Sequence, residues 1–139
     1  MTLPDPAVRE KVKQWLSYAD EDLRVARHSF SIPYDPPFRA IAFHAQQCAE
    51  KTLNAHLVFH LVDFPYTHDL AELLEICASS APWANQLLFA RELTAYAVTV
   101  RYPGEDLEVE EQEARRAIEI AEKVRETVTR SLREEGLQI

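Results

Sequence analysis

Two histidines, two glutamines, a glutamate, a lysine and an asparagine crowd the fifteen-residue stretch FHAQQCAEKTLNAHL, residues 43–57. These side chains carry protons, grip phosphates or ligate metals. His56 and His60 stand one helical turn apart, a spacing that suits a metal, and Asp63 and His68 follow closely enough to complete a set of ligands. However, no HExxH pattern is present, and HLVFH is embedded in apolar residues, so no metal and no cofactor are expected. Cys48 and Cys77 form no CxxC pair and are expected to be reduced and buried. Asp22 lies among apolar residues, where an unpaired carboxylate is costly; a basic residue of a neighbouring helix, Arg91, is its expected partner.

The elements that must position these groups read as helices. Asp5-Pro6 signals a start, with an acceptor at the N-cap and proline at the first helical position, and Val8, Val12, Trp15, Ala19, Leu23, Ala26 and Phe30 then recur at helical spacing. SIPYDPP breaks that helix, and Asp35-Pro36 repeats the start signal for a second one running to about Leu61. Its apolar residues cover more than one side, as in a helix enclosed by several neighbours. Thr67 is placed to cap a short helix ending near Ser79-Ser80. A further helix spans about Pro82 to Val100 until RYPG stops it. From about Leu107 the last helix buries Ala114, Ala117, Ile118, Ala121, Val124, Val128 and Leu132, with Glu111/Arg115, Glu119/Lys123 and Glu126/Arg130 pairs outside. The expected fold is all-α: an up-and-down four-helix bundle with an additional short helix, one domain over residues 1–139.

With 15 Lys+Arg against 23 Asp+Glu, the charge balance disfavours a broad nucleic-acid surface and leaves room only for a local basic site. No apolar run approaches the roughly 20 residues that span a bilayer. No charged leader precedes an apolar run, so a cytoplasmic protein without membrane attachment is expected.

Trp15, Ala19, Asp22, Leu23 and Ala26, the stretch FHAQQCAEKTLNAHL, the turn Thr67-His68-Asp69-Leu70, and Tyr96 through Arg101-Tyr102-Pro103 together resemble the prokaryotic HEPN domain family of the nucleotidyltransferase-associated type. The resemblance implies a homodimer in which Gln47, Glu50, Lys51 and Asn54 line a shared polar groove together with Arg101 and Tyr102, facing a nucleotide or RNA. It also implies a separately encoded minimal nucleotidyltransferase as partner, in the manner of a toxin–antitoxin pair. Many members are ribonucleases whose motif is an arginine followed four to six residues later by a histidine. Arg101 stands where that arginine belongs, but no histidine follows it. Transfer of protons near neutral pH needs such a group, since arginine alone only holds the phosphate, so little or no catalysis is expected. The alternatives are a metal-independent ribonuclease using Arg101 with another proton carrier, and a small-nucleotide-binding module. Arg39 and His44 also fit the spacing, but five residues turn the two side chains about 140° apart on a helix. For Arg101 and Tyr102 the competing role is a helix-end cap, and for Glu50 and Lys51 it is an ion pair.

Overall fold

Proline placement decides where the first helices begin. α1 (Pro6–Phe30) starts at the expected Pro6, although the Asp5 side chain makes no capping hydrogen bond. α2 (Phe38–Phe59) starts later than Asp35-Pro36 indicates, because Pro37 disfavours helical backbone at the residue before it; Asp35, at φ 50°, turns the chain instead. The computed structural model describes residues 3–97, 104 and 108–139. Arg101 and Tyr102 lie outside that set.

α3 (Leu70–Cys77) is capped by Asp69 rather than Thr67. The Asp69 carboxylate accepts the Ala71 N–H at 3.0 Å and the Glu72 N–H at 3.4 Å, while Thr67 Oγ1 accepts the Asp69 N–H at 3.1 Å and so holds the approach. Of the segment expected to be an α-helix over 82–100, 98–100 lie outside the described residues and Ala84–Tyr96 is a 3-10 helix. Its buried residues explain the geometry: Ala84, Leu87, Ala90 and Leu93 recur every third residue, which three residues per turn place in one row. Leu88 and Phe89 fall off that row and are exposed.

α4 (Glu111–Glu134) begins after about Leu107, where the Glu110 N–H donates to Glu113 Oε2 at 2.8 Å. All seven apolar positions expected to be buried in it are buried. Two of the three outer pairs form, Glu111 with Arg115 and Glu126 with Arg130.

The result is an up-and-down helical bundle with a short extra helix, and no strand occurs among the described residues. α2 is its centre: it packs against α1 and α4 and also against α3 and the 3-10 helix. That explains why its apolar residues spread around the helix, with Ile41, Leu53 and Leu57 fully buried. Bidentate pairs on the outside, Arg125 with Asp20 and Arg116 with Glu92, tie α4 to α1 and to the 3-10 helix. No helix of the described residues is long and apolar enough to cross a membrane.

Candidate functional site: the polar strip of α2

The polar residues of α2 are held by other elements more than by one another. Asp22, on α1, is the hub of a first cluster: its Oδ2 accepts from Lys51 Nζ at 2.6 Å and its Oδ1 lies 2.9 Å from His44 Nδ1. Arg91 is therefore not its partner. α1 runs along α2, whereas Arg91 sits exposed on the 3-10 helix, which makes no contact with α1 among the described residues. Burial alone would push the Asp22 carboxyl up, but hydrogen bonds from His44 and Lys51 outweigh it and hold the group below its ordinary range.

A second cluster lies beside the first. Glu50 Oε1, almost fully buried, meets His68 Nδ1 at 2.6 Å and accepts from Gln46 Nε2 at 3.1 Å. Gln46 also donates to the His68 carbonyl at 3.2 Å, and Gln47 donates to Gln46 Oε1 at 2.7 Å. Glu50 and Lys51 thus belong to separate pairs. Asn54 is buried one turn further along, with no partner for its Oδ1 among the described residues. His44, Lys51 and His68 keep 31%, 25% and 40% of their side-chain surface, so the strip is open on one side while its carboxylates are covered. Tyr66, 92% exposed, packs edge-on against His68 at 5.2 Å, and Tyr18, one turn before Asp22 on α1, is also exposed.

Of the residues expected to line a groove, the fold brings Gln47, Glu50, Lys51 and Asn54 to successive turns of α2. Sequence reasoning gives Gln46 and His68 no place in that groove. The only signal for His68 is its position in the turn before α3, and for Gln46 its neighbours in α2. Arg39 is exposed near the start of α2, while His44 is turned towards Asp22.

The histidines first considered for a metal do other things. The His56 and His60 rings pack 4.3 Å apart, His56 Nε2 lies 3.0 Å from Ser80 Oγ, and His60 Nε2 lies 3.1 Å from Glu135 Oε2. Burial, helped by the charge of His60, lowers the His56 pKa to about 3. His68 is turned to Glu50 instead, and no cluster of three metal-ligating side chains occurs among the described residues. Cys48 and Cys77 are buried free thiols whose pKa values burial raises to about 12, which leaves them unreactive.

The sequence profile of the HEPN domain matches residues 12–132. No curated protein matches the chain. Among solved structures, TT1696 from Thermus thermophilus is similar, with 23% sequence identity and a TM-score of 0.67 over 86% of this chain and 97% of that one, which is a likeness of fold. With the helical bundle in place and the profile spanning nearly all of it, the chain belongs to the HEPN domain family.

Proposed function

We propose that this HEPN-domain chain is a homodimer whose α2 strips face each other across a shared polar groove, and that it serves as the partner subunit of a separately encoded minimal nucleotidyltransferase, as a component of a toxin–antitoxin pair. One observation carries the reading: polar side chains recur along one side of the central helix, and three groups of the strip, His44 and Lys51 fixed by Asp22 and His68 fixed by Glu50, keep part of their surface open beside exposed Tyr18 and Tyr66. A side chain already held by a neighbour loses little freedom on binding, so such a strip suits recognition of a polar partner or nucleotide. Tyrosines add amphipathic contact area of the kind enriched at interfaces. Arg101 and Tyr102 complete the groove in this reading, arginine as a fork for phosphate and tyrosine as a stacking face.

Co-expression with a minimal nucleotidyltransferase, followed by affinity capture through a tag on that partner, tests the proposal. Stoichiometric recovery that Gln47→Glu/Lys51→Glu abolishes is expected. Absence of any complex under co-expression would contradict the partner role.

A second reading, metal-independent RNA cleavage with Arg101, gains from one feature. His44 is oriented through Nδ1 by a charged carboxylate and keeps part of its ring exposed, an arrangement that suits a proton carrier. Incubation with a mixed RNA pool without metal separates the readings. Little or no cleavage is expected; robust cutting lost in both Arg101→Ala and His44→Ala would favour the enzyme. Saturable binding of a mononucleotide without cleavage, weakened in Arg101→Ala and only partly restored in Arg101→Lys, would favour a nucleotide-binding module.

A further inference from the structure

Asp20 and Asp22 are two residues apart on α1, about 200° of helix rotation, so they point to opposite flanks. Asp22 serves the polar strip. Asp20 faces the other way, into a groove between α1 and α4 that no part of the proposed function uses. Two adjoining clefts, of about 460 and 560 Å³, share Asp20, Arg24 and Arg125 and run along this groove. Lys13, Arg24, Arg27, Arg125 and Arg133 line them with Asp20 and Ile139; Asp20 holds Arg125, Glu122 holds Arg27 from outside the clefts, and Arg133 Nε donates to the Ile139 main-chain oxygen at 3.1 Å. In a chain of net charge −8 this gathering of cations is a marked local segregation.

The arrangement is ordered. Lys13, Asp20, Arg24 and Arg27 form one row along α1, and Arg125 and Arg133 a facing row on the antiparallel α4. From Lys13 to Arg27 the groove is about 21 Å long at helical rise. Asp20 clamps Arg125 in a fork, and Arg27 is held by Glu122 through Nε at 2.9 Å, which leaves these guanidiniums fixed at the groove wall. Among the described residues no carboxylate pairs with Lys13 or Arg24, and both are exposed. No phenylalanine, tyrosine or tryptophan lines either cleft, so there is no broad platform on which a base would stack.

We infer that the α1–α4 groove is a second binding site, taking a chain of phosphates through its charged oxygens: Lys13 and Arg24 supply the open cations, and the clamped Arg125 and Arg27 the fixed ones. Arginine forks match phosphate geometry, and a length of several helical turns suits consecutive phosphates rather than one. The phosphates belong to a nucleic-acid backbone or to a linear polyphosphate; either source is read without regard to sequence.

Fluorescence anisotropy at low salt, with a labelled single-stranded RNA and with inorganic polyphosphate as competitor, tests this on the full chain. Wild type is expected to bind saturably and to weaken steeply with salt, and Lys13→Glu/Arg24→Glu to weaken binding by about tenfold or more. Lys123→Glu/Arg91→Glu, the same charge change on other faces, is expected to leave binding within about twofold beyond the shared long-range effect. Competition by polyphosphate as strong as by unlabelled RNA assigns the site to phosphate chains in general, and weaker competition assigns it to a nucleic-acid backbone. No saturable binding, or equal weakening by both variant pairs, would overturn the site. Competition by polyglutamate as strong as by polyphosphate would overturn the phosphate assignment. Lys13→Gln/Arg24→Gln, a milder change, keeps the test valid if the reversal unfolds α1, as a circular-dichroism melt would show.

Discussion

Asp22 and His56 show how differently two buried polar residues act on stability. Asp22 joins two charged or chargeable partners on α2, so Asp22→Ala strands Lys51 and His44 and should lower unfolding stability by about 2 kcal/mol. Its carboxyl titrates below the ordinary value of 3.8 in the folded chain. The stabilisation is therefore present above that value and disappears as pH falls through the lower folded value. His56 is a base whose folded pKa, about 3, lies below its ordinary 6.5. Between those values the unfolded chain binds the extra proton, so acidification from about pH 6.5 towards 3 drains stability. Urea unfolding of wild type and His56→Leu at pH 7.5 and pH 5 checks this: wild type should lose clearly more stability between the two pH values. That Asp22 needed a partner was legible from a carboxylate among apolar residues. The identity of the partner was not, because Lys51 and Arg91 look alike until it is known that α1 lies along α2.

The start of α1 was legible from Asp5-Pro6, and that of α2 was misread from the same signal at Asp35-Pro36 because a second proline, Pro37, moved the boundary. The 3-10 helix was misread because leucines and alanines at three-residue spacing also satisfy most of an α-helical stripe; exposure of Leu88 and Phe89 is what separates the two. Poorer hydrogen-bond geometry in a 3-10 helix predicts faster amide exchange in 84–96 than in α2, which hydrogen–deuterium exchange mass spectrometry would resolve. The ends of α2 and α4 close alike, Val62 N–H to the Leu57 carbonyl and Leu137 N–H to the Leu132 carbonyl, each at 2.9 Å. The residue between is left-handed in both: Gly136 at φ 103° and Leu61 at φ 58°. Glycine adopts that backbone without the Cβ clash that leucine suffers, and Leu61 is 71% exposed, so Leu61→Gly should raise stability by about 0.5–1 kcal/mol in a thermal melt.

At the scale of the molecule, α2 is apolar on several sides because four elements wrap it, and polar along the one strip that meets Asp22 and His68. The bundle itself was legible from periodicity. The clusters were not, since each joins residues from separate elements. A groove shared by two copies requires a two-fold partner, with each strip meeting its own copy. Size-exclusion chromatography with light scattering across micromolar concentrations tests that most directly. A species of twice the 16.0 kDa protomer is expected, reduced towards the protomer mass by Gln47→Glu/Lys51→Glu. A wild-type mass of 16.0 kDa at every concentration would contradict it.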